Sequence, residues 1–558
     1  MAGAVPPSPE DGRDGLDEWM PCPDGVRLAT RLWRPPSGAG PWPALLMRQP
    51  YGRRIASTVV YAHPRWYAAH GFLVAVQDVR GRGDSEGEFG GFAQEGVDGR
   101  TALRWLRHHP ACNGRVGTYG FSYQGLSQLL IGVGGGEAAD VPDALAPAMC
   151  GLDERRHWAA EGGAHAWAQL IAWGLQLAGE GCRRRGDREG WLEIRRCLEG
   201  GLWPREGLAL LHRHDPAGMV SRWLALDPAE PRGWRIHEPS RALLRRPLLL
   251  IGGWHDPHLR GVLDLWARSR AVGGSPELVV GAWSHLDWRG GLDERQLAFF
   301  RRHLQNGGGP GAGGGGEGEP AVALQCVTAG DWRFPTPASL SALPVPPQPG
   351  PPLSWTLHSG GLAAVRGEEG ELRPEAGGGA GGGRVSLVHD PWRPVPGRGG
   401  HLGPEVGVVD RAEQDRRADV ACFTSAPLAE PLELLGEPRL AIGVRAEPGG
   451  FDLCAALSVL SAEGAAVRQL STGVRRQSRP GGAEGELVPL RLQPLRATLA
   501  AGERLRLSLA GAAWPQIAVH PGRADRPPGP PGPEHRVISL ELALEGARLW
   551  FTPLIGAD

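Results

Sequence analysis

Three short segments carry residue types that, brought together, make an activated nucleophile: Ser122 in YGFSYQG (residues 119–125), Asp256 in GGWHDPH (252–258) and His285 in GAWSHLDW (281–288). A serine hydroxyl becomes nucleophilic when an imidazole takes its proton, and a carboxylate behind the ring holds the tautomer and stabilises the imidazolium that forms. Such a set cleaves acyl bonds through an acyl-enzyme and needs no metal or organic cofactor. Ser122 stands between the strand-like RVGTY and a helix that begins near Gln124, with Gly120 and Gly125 allowing close backbone approach. On a turn of this kind the hydroxyl is held out from the sheet above a helix N-terminus. The spacing G-x-S-x-x-G is one residue longer on its second side than the commonest form, so the string alone leaves a capping role open for Ser122. Asp256 follows the apolar run LLLIG and by itself reads equally well as a helix cap. His285 follows the next apolar run, PELVV.

The elements around these residues decide between the readings. From about residue 26 to 150, β-rich runs such as VRLATRLW, PALLMRQ and FLVAVQDV alternate with helical patterns such as DGRTALRWLRHH. Strands separated by helices of this length predict parallel pairing in an α/β sheet. Residues 151–240 lack strand runs and carry Trp at 158, 167, 173, 191, 203, 223 and 234, which predicts a helical cap with most indoles in its core. The β/α rhythm returns over 241–305 with RPLLLIGGWHD, HLRGVLDLWARSRAV, PELVVGAWSH and DERQLAFFRRHLQ. One α/β domain, 17–150 and 241–305, is thus interrupted by a cap. The segment NGGGPGAGGGGEGEP (306–320) reads as a Gly-rich linker. From 321 to 558, short alternating runs such as AVALQCV, LSWTLHS, DLCAALSVL and RVISLELAL, separated by Pro/Gly segments, predict an all-β sandwich. In this layout Ser122, Asp256 and His285 lie at strand ends in the chain order that an α/β-hydrolase sheet requires.

Read instead as a metal cluster, His255, Asp256, His258, His285 and Asp287 fit poorly. Residues two apart on a strand alternate faces, and H-D-P-H matches no metal motif. Asp287 is too close in sequence to His285 to approach its ring from behind.

Charge narrows the partners. With 60 Lys+Arg against 61 Asp+Glu the chain carries a net charge of −1, which gives no electrostatic footprint for nucleic acid or an anionic membrane. A small-molecule acyl substrate is the expected partner, and the oligomeric state is open, a homo-oligomer included. Every basic residue is Arg, and Gly (86) and Pro (52) are abundant, read mainly as compositional drift. The eight cysteines (22, 112, 150, 182, 197, 326, 422 and 454) form no C-x-x-C pair and no zinc-like spacing, and read as buried free thiols of a reducing compartment. Residues 1–19 have neither a basic nor an apolar region of a signal peptide and read as a short disordered lead. No run reaches the roughly 18 apolar residues of a membrane helix. A soluble, cytoplasmic protein is expected.

Eight segments in order, RQPYGRR (48–54), QDVRGRGDSEGEF (77–89), YGFSYQG, EGGAHAWAQLIAWGLQLA (161–178), GGWHDPH, GAWSHLDW, HDPWRPVPGRGG (389–400) and RRADVACFTSAPL (416–428), resemble the cocaine esterase and X-Pro dipeptidyl-peptidase group of serine hydrolases, the CocE/NonD family. The likeness runs from about residue 17 to the C-terminus. It implies an α/β-hydrolase domain with a helical cap insertion and a C-terminal all-β jelly-roll domain. Matched motif by motif, it implies Ser122, Asp256 and His285 as catalytic residues, with the Tyr51 phenol of PYG and the backbone N–H of Tyr123 as oxyanion donors. Beside that, Tyr51 also reads as a buried phenol with a satisfied hydroxyl, and Arg80 with Asp84 as an ion pair holding the loop after FLVAVQDV.

The resemblance implies a choice among simple carboxylic esters, α-amino acid esters and β-lactam amides, and dipeptides with proline second. Amino-acyl substrates need a carboxylate cluster, part of which follows closely after the catalytic aspartate in the amino-ester hydrolases. Here Pro257, His258 and Leu259 follow Asp256, so a carboxylic ester is expected. The alternative, an α-amino acid ester hydrolase or X-Pro dipeptidyl-peptidase, would draw its charge from Asp153, Glu154 and Glu161 at the start of the cap. Trp158 and Trp167 are expected to wall an apolar acyl pocket. A non-catalytic binder with a vestigial hydrolase domain is the remaining class, and the three chemical segments argue against it.

Overall fold

Short apolar runs flanked by turn residues build the first sheet from β1 (Leu16–Pro21), β2 (Arg27–Trp33), β3 (Trp42–Gln49), β4 (Leu73–Asp78), β5 (Cys112–Phe121) and β6 (Ala144–Ala148). A two-residue hairpin, β7 (Ala160–Glu161) and β8 (Ala164–His165), stands apart from it, and β9 (Leu249–His255), β10 (Glu277–Ser284), β11 (Val322–Gln325) and β12 (Trp332–Arg333) complete it. This computed structural model describes residues 15–54, 60–134, 140–288, 291–305, 321–336, 353–375, 381–446, 449–477 and 486–554. The linker expected at 306–320 lies outside the described residues, as does the expected lead up to residue 14.

The strand order is β1-β2-β4-β3-β5-β6-β9-β10-β11-β12. From β4 to β11 neighbours are parallel, and β1, β2 and β12 join antiparallel. Central strands such as β4 and β9 are buried along their whole length, as strands covered by helices on both faces must be. On one face lie α1 (Pro64–Ala69) and, late in the chain, the helix Leu292–Phe300; on the other lie α2 (Glu95–Arg107), α3 (Tyr123–Leu130) and the helix Leu259–Ala271. This is the α/β-hydrolase arrangement.

Two expectations are corrected here. Residues 16–19, read as part of an unstructured lead, belong to β1, whose ladder on β2 runs from Leu16↔Leu32 to Pro21↔Arg27. The run AVALQCV, read as the first sandwich strand, extends the first sheet as β11, with Leu278 of β10 opposite Val322. Its side chains decide this: Val322 and Leu324 pack into one core and Ala323 into the other, the two-sided burial of a parallel strand.

The cap consists of α4 (Trp167–Arg185), α5 (Arg188–Glu199), α6 (Trp203–His214) and α7 (Met219–Leu224). In α4 the buried Leu170, Ile171, Gly174, Leu175, Ala178 and Cys182 recur at helical spacing, and Gly186 ends the helix at φ 73°, a left-handed conformation that suits a residue without Cβ. Beyond Ser354 the chain is an all-β, jelly-roll domain, an 11-stranded sheet in which the long strands Leu432–Ala446 and Ile538–Thr552 pair antiparallel around a Leu/Val/Phe core. It packs on the cap through Gly162, whose carbonyl accepts from Arg476 N at 2.8 Å; a Cβ there would collide with the carbonyl of Val474.

Candidate active site

Four loops leave the carboxyl edge of the sheet side by side: β3 leads to Tyr51, β5 to Ser122, β9 to Asp256 and β10 to His285. Ser122 has φ 57° and ψ −127°, one of two described non-glycine residues at positive φ. A β-carbon is strained there, and the strain lifts the hydroxyl above α3. The longer glycine spacing noted in the sequence has a packing cause. A Cβ on Gly125 would lie 2.6 Å from the Ala148 carbonyl and 2.9 Å from Cys150 Sγ, so α3 approaches the end of β6 only because residue 125 is glycine.

His285 Nδ1 lies 2.5 Å from Asp256 Oδ2, and Asp256 is fully buried. Its other oxygen accepts the His258 N–H at 2.8 Å, and Gln493 of the all-β domain donates to its carbonyl at 2.8 Å. An imidazole bound at Nδ1 presents Nε2 as the base. Phe121, the residue before Ser122, packs its ring 5.3 Å from the imidazole. The described hydrogen bonds include none between Ser122 and His285; the serine hydroxyl faces the Tyr51 phenol. Asp287 is not the carboxylate on the ring.

Tyr51 is held from both sides. Its N–H bonds Gln49 Oε1 at 2.8 Å, and Arg53, two residues on, ties the loop to the buried Asp78 at 2.7 Å. The indole of Trp173 donates to the phenol oxygen at 3.1 Å. Burial pushes the phenol pKa up to about 12, against the Trp173 hydrogen bond and the Arg82 charge, so it keeps its proton and can donate it. The Tyr123 side chain is committed elsewhere, bonding the buried Glu95 at 2.9 Å. Its backbone N–H, at the first position of α3, has no acceptor within the helix.

Of the two tryptophans expected at a pocket, Trp158 packs 4.3 Å from the His258 ring, beside His285, and also lines a cavity of about 970 Å³ between α/β domain, cap and all-β domain whose walls do not include Ser122, His285 or Tyr51. Trp167 is not brought there: it is buried in the cap with its indole on the Pro204 carbonyl. Three residues that sequence reading gave no role complete the surroundings. Trp173 holds Tyr51, and His258 donates from Nδ1 to the His157 carbonyl at 2.5 Å while its Nε2 meets Gln169 at 3.4 Å. Burial pushes His258 down to about 4, so it is neutral beside His285. The i, i+4 spacing of Gln169 and Trp173 on α4 was the available signal. Arg80 and Asp84 are not a pair: Arg80 binds Asp98 and Asp24, and Asp84 binds Arg53, because the glycine-rich turn between them sends the two side chains apart.

Comparison with known proteins agrees with the fold. Residues 24–287 match the X-Pro dipeptidyl-peptidase (S15 family) profile, and residues 347–537 match the X-Pro dipeptidyl-peptidase C-terminal non-catalytic domain. The chain is 28% identical over 498 residues to a cocaine esterase of Rhodococcus sp. (strain MB1 Bresler), covering 82% of each. In fold it is similar to an aminopeptidase from a marine sediment Thaumarchaeota archaeon, at TM-score 0.70 and 18% identity with 99% of each chain covered. A CocE/NonD family hydrolase from Staphylococcus aureus gives TM-score 0.67 at 15% identity over 96% of this chain and 92% of that one. With one profile on the α/β part and the other on the all-β part, the chain belongs to the cocaine esterase and X-Pro dipeptidyl-peptidase (S15) family of serine hydrolases.

Proposed function

We propose that this hydrolase cleaves carboxylic esters, with Ser122 as nucleophile, His285 as general base, Asp256 orienting the imidazole, and the Tyr51 phenol with the Tyr123 backbone N–H as oxyanion donors. The observation that carries this reading is the 2.5 Å contact of His285 Nδ1 with buried Asp256, at the sheet edge where Ser122 sits on its positive-φ turn. A χ1 rotation of Ser122 toward Nε2 lets the imidazole take the proton as Oγ attacks the ester carbonyl. The oxyanion then forms between Tyr51 and the Tyr123 N–H. Collapse expels the alcohol, which takes the proton from the imidazolium, and water activated by the same imidazole hydrolyses the acyl-enzyme.

Trp158 and Trp173 are the proposed aromatic wall for the acyl group. An uncharged acyl group is supported by the state of the carboxylates at the start of the cap, the ones an aminoacyl substrate would draw on. Asp153 accepts the backbone N–H groups of Arg155 and Arg156, Glu154 is held by the Trp223 indole and by His237, and Glu161 is bound by His401. A substrate ammonium would have to compete with those partners. The test is a panel of p-nitrophenyl esters beside aminoacyl and Gly-Pro p-nitroanilides, with fluorophosphonate labelling. Wild type should turn over the esters and take the label. Ser122→Ala should do neither while keeping its circular dichroism spectrum, since the change removes one oxygen and no core volume. A higher kcat/KM on the Gly-Pro anilide would move the enzyme to the aminoacyl class.

A further inference from the structure

The cap contains a second cluster of chemically capable side chains, remote in sequence from the first. Cys182 Sγ near the end of α4, a carboxylate oxygen of Asp187 at the start of α5 and a ring nitrogen of His214 at the end of α6 all lie within 4.8 Å of one another. Each is already aimed. Asp187 Oδ1 caps α5 by accepting Gly190 N at 2.9 Å, which leaves Oδ2 facing His214 Nδ1 at 3.8 Å. His214 Nε2 is bound to Glu193 at 2.7 Å, the carboxylate contact that in metal sites fixes the tautomer and makes the opposite nitrogen the ligand. Gly190 keeps the space open: a Cβ there would stand 2.4 Å from Asp187 Oδ2 and 2.8 Å from His214 Nδ1.

We propose that Cys182, Asp187 and His214 bind one zinc ion, with water as the fourth ligand, and that the ion staples α4, α5 and α6 of the cap together. A thiolate, an imidazole and a carboxylate are the donors zinc takes, and its bond lengths require donor atoms roughly 3.3–3.8 Å apart in a tetrahedron, a small contraction of the cluster. Binding replaces the thiol proton: zinc and the Cys182 thiol give a zinc thiolate and one proton released to solvent. Charge around the cluster accepts the ion. The carboxylates of Asp187, Glu193 and Asp215 lie around it, while Arg185 reaches the Cys182 sulfur at 3.6 Å and the His214 carbonyl at 3.1 Å, and Arg213 binds Glu193. Arg185 must swing off the sulfur. The site is structural, not catalytic: Cys182 lies nine residues, about 14 Å along α4, from Trp173 at the phenol of Tyr51. The spacing C-x4-D-x26-H is no compact motif, which is why the sequence reading found no zinc pattern.

The test uses the full-length protein, stripped with chelator and dialysed against zinc or cobalt. Wild type should retain about one zinc ion per chain by elemental analysis, and its cobalt form should show tetrahedral visible bands with a thiolate charge-transfer band in the near ultraviolet. Cys182→Ser should lose the charge-transfer band, and His214→Gln should lose equimolar zinc. Ester turnover by both variants would show that they are folded. Chelation should lower the melting temperature of wild type but of neither variant, and leave ester kcat within about twofold. Wild type that retains no zinc after dialysis, or cobalt spectra that are the same in wild type and Cys182→Ser, would overturn the proposal.

Discussion

At the scale of single residues, the site is a matter of which hydrogen bond each group has left to give. Tyr51 is the sharpest case, because Trp173 already donates to its oxygen and the phenol keeps its own proton to give, which the oxyanion role proposed above requires. Tyr51→Phe should therefore keep the fold and ground-state binding and lose on the order of a hundredfold in kcat, with KM little changed. Steady-state kinetics on a p-nitrophenyl ester measure both. A near-normal kcat would reduce the phenol to a packed side chain. Local reading could name Tyr51 from PYG, but its donor is 122 positions away and was out of reach.

At the scale of elements, the strained turn at Ser122 depends on how closely α3 meets β6. Gly125 has no room for a Cβ on its backbone side, so Gly125→Ala must push α3 outward or distort the turn. We expect a loss of about 1–3 kcal/mol in denaturant unfolding, as for other overpacked sites, together with lower kcat because Ser122 moves with the helix. Unchanged stability would mean that α3 has slack that its contacts do not reveal. Helix rotation makes a similar distinction on α4. Trp167 and Trp173 are six residues apart, about 120° around the helix, so one faces the cap core and the other Tyr51.

At the scale of the whole molecule, the all-β domain reaches the candidate site. Gln493 reaches the Asp256 loop from this domain, donating to a buried carbonyl at 2.8 Å. Gln493→Leu leaves that carbonyl with the longer 3.3 Å backbone bond from Leu259, and we expect kcat to fall about tenfold while the melting temperature changes little. Equal effects on both would point to general destabilisation. Acid sensitivity is also a property of the assembly. Burial pushes His157 down to about 3 and His165, His255, His258 and His520 to about 4. Between their ordinary value of 6.5 and these values the unfolded chain binds protons that the folded one does not, so stability rises with pH across that window. The unfolding free energy should be flat above about pH 7 and fall steadily from pH 6.5 toward 4. Stability that holds level to pH 4.5 would show that these rings are protonated in the native state.

What the sequence by itself determined is what depends on neighbours in the chain. The alternation of strand and helix runs, the cap between Cys150 and Arg241, and the position of Ser122, Asp256 and His285 just past apolar strands are set by local periodicity, and so is the order in which they occur. Strand ends in a parallel sheet converge on one edge, which is why three segments up to 163 residues apart could be read together. Only the tertiary structure decided what depends on pairing and rotation. β11 joins the first sheet because β10 offers it a parallel edge and helices cover both of its faces. Arg80 and Asp84 part because Asp98 and Asp24 take the guanidinium and Arg53 takes the carboxylate, partners that come from other elements. Trp173, Gln493 and the trio Cys182, Asp187 and His214 acquire their partners from the packing of helices and domains, and no spacing along the chain encodes a contact made across it.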